Sequence, residues 1–111
     1  MLSTVIRKHP LINIKRNLAL CRDALKGMSC TELGDKYDVS DARAQQLVID
    51  MIKRIKKFYK KDITEDFDPE VDYFFLHVIW FTENSINDMR CYQKEWDRAF
   101  REYEEAWFDD K

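Results

Sequence analysis

Apolar residues recur at steps of three and four along nearly the whole chain, the spacing of helices that bury one face. Leu18, Cys21, Ala24 and Leu25 mark a first helix over 14–25, with Gly27 as its C-terminal cap. Ser29 or Thr31 starts a short second helix whose inward positions are Leu33 and Tyr37. Gly34 follows Leu33, where a residue without a side chain lets the next element pass close. Asp38 leaves that helix, Val39 turns inward, and Ser40 is a strong N-cap for a third. Ala44, Leu47 and Val48 begin its stripe, and Met51, Ile52, Ile55, Phe58 and Tyr59 carry it to Lys61.

Between Asp62 and Asp68 the period is lost, which predicts a boundary between residues 1–61 and 62–111. Asp68-Pro69-Glu70 then combines a capping side chain, a proline suited to the first turn and an acid near the positive helix end. Val71, Phe74, Phe75, Val78 and Ile79, widened by Trp80 and Phe81, predict a helix reaching Asn84 whose apolar arc needs a cover. Ser85 caps a final helix in which Ile86, Met89, Gln93, Trp96, Phe100, Tyr103 and Trp107 form a heptad seam. The seam has two readings: an antiparallel hairpin with residues 70–84 in one chain, or a helix-helix dimer. The expected fold is all-α, a helix-turn-helix N-terminal half followed by a two-helix acidic, aromatic-rich C-terminal hairpin or dimerisation element.

The spacing over Cys30 to Ile49 is that of a DNA-binding helix-turn-helix, two helices joined by a tight turn. It is also that of an ordinary helical hairpin with a polar outer face, and charge bears on the choice. Residues 1–61 hold fourteen Lys and Arg against six Asp and Glu, a net of +8; residues 62–111 hold five against fifteen, a net of −10; together they make the overall −2. The cationic half carries the motif, as phosphate neutralisation requires.

On the helix that starts at Asp41, the outward Ala42, Arg43, Gln45 and Gln46 are the candidate base-contact positions in a major groove. Glutamine can present its amide to adenine N6 and N7, and arginine can fork onto guanine or a phosphate. Asp41 reads better as a helix-start residue than as a contact to cytosine. Ser40, Lys53, Arg54, Lys56, Lys57 and Lys60 are the candidate phosphate contacts; with Lys61 they leave no acid between Lys53 and Lys61. Arg7, Lys8, Lys15 and Arg16, around His9-Pro10, are either a basic arm or a solvated terminus.

The run Thr31-Glu32-Leu33-Gly34-Asp35-Lys36-Tyr37-Asp38-Val39-Ser40, then Arg43, Gln46 and Leu47, then Lys53-Arg54-Ile55-Lys56, resembles region 4 of bacterial sigma factors over about residues 14–60. The resemblance implies a helix-turn-helix of the kind found in small phage or bacterial transcription regulators. Asp41, Ala42 and Gln45 depart from it, since the family commonly has base-reading charged side chains there. It therefore implies a different target sequence, or a module turned to protein binding.

Other function classes lack their materials. His9 and His77 are the only histidines and stand far apart; His77, between Leu76 and Val78, reads as a hydrogen-bonded structural residue. No phosphate loop, nucleophile elbow or metal-ligand spacing occurs, so no catalysis, metal or cofactor is expected. Cys21, Cys30 and Cys91 are unpaired in spacing and read as reduced thiols. The absence of a signal-peptide core or membrane-length apolar run makes the cytoplasm the expected compartment.

The expected function is a DNA-binding transcription regulator acting on double-stranded DNA. Ile86, Met89, Trp96, Phe100, Tyr103 and Trp107 are its candidate dimer or partner interface. Two alternatives stay open: a sigma-like protein that binds RNA polymerase or another protein with little direct DNA contact, and a phage DNA-packaging or assembly component. The acidic half either solubilises the chain, orients it on DNA, or docks a basic partner such as RNA polymerase.

Overall fold

A computed structural model describes residues 2–61 and 69–108, with side chains for 13–60 and 73–106. Every regular element among the described residues is a helix: α1 Leu2–Leu25, α2 Cys30–Tyr37, α3 Asp41–Lys61, α4 Pro69–Phe81, α5 Ile86–Arg90 and α6 Gln93–Phe108. Extents of 44 × 36 × 18 Å make a slab about two helix diameters thick. No helix among the described residues is long and apolar enough to cross a membrane. The expected boundary at 62–68, the capping role of Asp68 and the side chains of Arg7, Lys8, His9, Val71 and Trp107 lie outside the described residues.

Helix ends follow local chemistry. Gly27, at φ +114°, closes α1: its N–H bonds Ala24 O at 3.0 Å and that of Met28 bonds Asp23 O at 3.1 Å. Ser29 caps α2 reciprocally with Glu32, accepting from the Glu32 N–H while the Glu32 carboxylate accepts from the Ser29 N–H. Asp38 ends α2 in the left-handed conformation, φ 61° and ψ 49°. A Cβ placed on Gly34 would lie 2.5 Å from the Val39 carbonyl oxygen, so the glycine is what lets the turn fold back over α2. Ser40 Oγ accepts from Arg43 N at 3.0 Å and starts α3.

Two elements depart from expectation. α1 begins at Leu2 rather than Ile14, running through Pro10, which removes one N–H donor from the helix. The single final helix is divided by a tightened turn, Cys91 N bonding Asp88 O at 3.2 Å and Tyr92 N bonding Met89 O at 3.1 Å. Around this turn Arg90 reaches the open carbonyls at the end of α1, donating to Ala24 O and Met28 O, both at 2.7 Å. Gln93 donates to Leu25 O at 2.8 Å. These long-range bonds satisfy acceptors that a helix end cannot satisfy itself.

One core joins both halves of the chain. Leu18, Leu20, Cys21 and Ala24 of α1 and Leu33 of α2 are buried with Val48, Met51, Ile52 and Ile55 of α3. Phe75, Leu76 and Ile79 of α4, Met89 of α5, and Trp96, Phe100 and Tyr103 of α6 complete the same cluster. The heptad seam is thus occupied from within the chain: Met89, Trp96 and Phe100 have no exposure and Tyr103 has 5%. This corrects the expectation of a dimer interface there, because those side chains already cover α1, α3 and α4; Ile86 is half-buried against the same core.

His77 also differs from expectation. It is exposed on the outer side of α4, its ring 4.5 Å from that of Phe81 and 6.1 Å from that of Tyr73. The inward side of that helix is taken by Phe75, Leu76, Val78 and Ile79.

Candidate nucleic-acid interface

α3 presents two opposite faces because its apolar positions follow one stripe. Ala44, Leu47, Val48, Met51, Ile52, Ile55 and Tyr59 are buried, and at 100° per residue the opposite side carries Ala42, Gln46, Lys53, Lys57 and Lys60. Ala42, Arg43, Gln45, Gln46, Lys53, Arg54, Lys57 and Lys60 are all exposed. Ala42 to Lys60 spans about 27 Å at 1.5 Å per residue, long enough to cross a groove and meet the phosphates beside it.

The helix is held at both ends. At its start Thr31 Oγ1 donates to Asp41 Oδ2 at 2.9 Å, fastening the first turn of α3 to that of α2. Asp41 is therefore engaged in the scaffold. α2 is tied to α1 through Asp23, whose Oδ2 accepts from Tyr37 at 2.6 Å and Lys36 at 2.8 Å. Burial pushes the Asp23 carboxyl up, but the hydrogen bonds from Lys36 and Tyr37 and the Lys36 charge outweigh it and hold the group below its ordinary 3.8.

At its far end the Tyr59 hydroxyl donates to Glu102 Oε1 at 2.5 Å, and Glu102 Oε2 pairs with Arg98 at 2.8 Å. The Arg98 guanidinium lies over the Phe75 ring, 4.0 Å from its centre, so α3, α4 and α6 meet at one polar-aromatic junction. Burial first, then the Glu102 carboxylate, push the Tyr59 hydroxyl above its ordinary 10.

A cleft of about 860 Å³ runs along one edge of α3. Arg43, Lys53, Arg54 and Lys57 line it with Asn17 of α1; Leu47, Met51 and Phe58 contribute apolar surface, and Tyr103 and Ala106 of α6 complete the lining. Among the described residues that line it the one acid is Asp50, which accepts at 2.9 Å from the amide nitrogen of Gln46, one turn earlier. No acid among the described residues pairs with Arg43, Lys53, Arg54, Lys57 or Lys60. Cations without an acid partner among the described residues, set along a helix beside an apolar wall, are suited to a polyanion that follows the helix.

Comparison with protein-family models, curated proteins and solved structures finds no match to this chain.

The candidate residues do not all share one surface. Ser40 accepts from the α3 backbone, and its hydroxyl proton is the only part left for a phosphate. Lys56 is half-buried and set toward Glu83 and Asp88; burial, then Lys60, lower its pKa. Gln46 donates one amide N–H to Asp50, which leaves its second N–H and its carbonyl oxygen for a base. Asp50, Asn17 and Ala106 did not stand out in the sequence, and Tyr103 did so only as a position of the heptad seam. Asp50 carried a signal, its i,i+4 spacing from Gln46; the others reach the cleft only through tertiary packing. No cluster of three or more His, Cys, Asp or Glu suited to a metal occurs among the described residues.

Proposed function

We propose that this protein is a double-stranded DNA-binding transcription regulator whose α2–α3 pair acts as a helix-turn-helix, with the start of α3 in a major groove. The observation that carries this reading is the exposed row Arg43, Lys53, Arg54, Lys57 and Lys60, without an acid partner among the described residues, on the helix whose first turns expose Gln45 and Gln46. Arg43, Gln45 and Gln46 contact bases, and Lys53, Arg54, Lys57 and Lys60 contact phosphates. The resemblance of residues 14–60 to sigma region 4 supports the same geometry. The departures at Asp41, Ala42 and Gln45 point to a target other than the usual promoter element.

A second reading has its own observation. Asp50 sets a carboxylate inside the cationic cleft, an arrangement that suits a protein surface of mixed charge, such as RNA polymerase, better than a row of phosphates. Enrichment from a random duplex library separates the two. The DNA reading expects a short preferred sequence, lost in Gln45→Ala with Gln46→Ala while salt-sensitive binding persists; absence of duplex binding at low salt favours the protein-binding reading.

A further inference from the structure

The exposed large hydrophobic side chains among the described residues gather at one place. Tyr73, Phe74 and Phe81 of α4 are 58, 62 and 69% exposed, and Tyr92, in the turn before α6, is 42% exposed. Tyr73, His77 and Phe81 follow each other at four-residue steps, so their rings form a ridge along the outer side of α4. Beside the ridge, and sharing His77 and Phe81 with it, is a hollow of about 320 Å³ also lined by Phe74, Tyr92 and the acids Glu83 and Asp88. No described residue covers either feature. We propose that this face of α4 is the surface through which two copies of the chain associate.

Three observations select a second copy as the occupant. Ridge and hollow lie on the same face, so a two-fold axis lets the ridge of each protomer enter the hollow of the other, as an isologous interface requires. From Tyr73 to Thr82 there is no Asp, Glu, Lys or Arg, and His77 is the one ionisable imidazole. The ridge therefore matches another apolar face, and the charged groups that line the hollow, Glu83 and Asp88, disfavour an acidic partner.

The third is area. Burying an aromatic side chain removes about 200 Å² from water, so at these exposures four rings offer about 450 Å² per chain and about 900 Å² per pair. That lies below the roughly 1,200 Å² at which standard-size interfaces begin and in the range of weak, transient ones. The association is correspondingly weak and concentration-dependent, and it stands independently of what α3 binds.

The test is sedimentation equilibrium of the full chain from about 1 μM to about 1 mM, the span over which an interface of this size forms. The mass should rise from 13.5 kDa toward twice that value. Phe74→Ser and Phe81→Ser alter exposed positions, and unchanged helical circular dichroism identifies them as folded. Each substitution falls twice in a symmetric pair and should weaken association on the order of 100-fold. A mass that stays at 13.5 kDa throughout overturns the proposal, as does a dimer that persists undiminished in both folded variants.

Discussion

The side-chain amide of Gln46 donates to the carboxylate of Asp50, 2.9 Å away and one helical turn along α3. The pair sits among Arg43, Lys53, Arg54 and Lys57, so the acid that lines the cleft also holds a candidate base-contact glutamine. A negative charge there opposes phosphate approach and engages one N–H of Gln46.

Removing that charge should therefore strengthen binding to duplex of arbitrary sequence. Asp50→Asn and Asp50→Ala are both expected to raise affinity at low salt about fivefold, the effect of one unit charge at roughly 1 kcal/mol. Fluorescence anisotropy with a labelled duplex measures it. Equal or weaker binding in both variants would show that phosphates do not pass Asp50.

The α2–α3 turn depends on a missing methyl. Gly34→Ala puts a Cβ 2.5 Å from the Val39 carbonyl oxygen, and backbone must move to relieve it. A loss of about 1–3 kcal/mol in urea unfolding is expected. A change within 0.5 kcal/mol, about the size seen at unconstrained surface sites, would mean the turn has slack that the geometry does not allow.

Tyr59 provides a pH-dependent test of the α3–α6 junction. Tyr59→Phe leaves Glu102 without its phenolic donor and should cost about 1–2 kcal/mol near neutral pH. The folded state holds the Tyr59 proton more tightly than the unfolded chain does. Its stabilisation is whole below the ordinary pKa of about 10 and is lost as pH rises through the higher folded value. The stability gap between wild type and Tyr59→Phe should narrow as pH rises above about 10. A constant gap would place the stabilisation in packing alone.

Much of this arrangement could be read from the chain because its cues are local. Ser29, Gly27, Ser40 and Ser85 occupy the caps expected of them, and Leu33, Ala44, Leu47 and Val48 are buried as their spacing requires. What escaped depended on which neighbour an apolar face meets. The regular seam of Met89, Trp96, Phe100 and Tyr103 has the period of a dimer interface, yet α1, α3 and α4 fill it. Phe74 and Phe81 belong to an arc wider than the core can cover, so they remain outside. Periodicity identifies a face, but not whether its partner lies in the same chain. Asp50 escaped because an acid in the middle of a basic helix looks unremarkable until its side chain is located in the cleft.

A grip of α3 on a polyanionic duplex through its exposed cations, as proposed, makes binding depend on salt, and a titration at two salt concentrations tests it. Wild-type protein should bind duplex at about 50 mM salt and lose affinity steeply by about 200 mM as counterions are released. In the variant combining Lys53→Ala, Arg54→Ala and Lys57→Ala, the slope of log K against log salt should flatten by about 0.9 per cation removed, close to 2.7 in all. Failure of the wild type to bind at the lower salt, or an unchanged slope in the triple variant, would contradict the account.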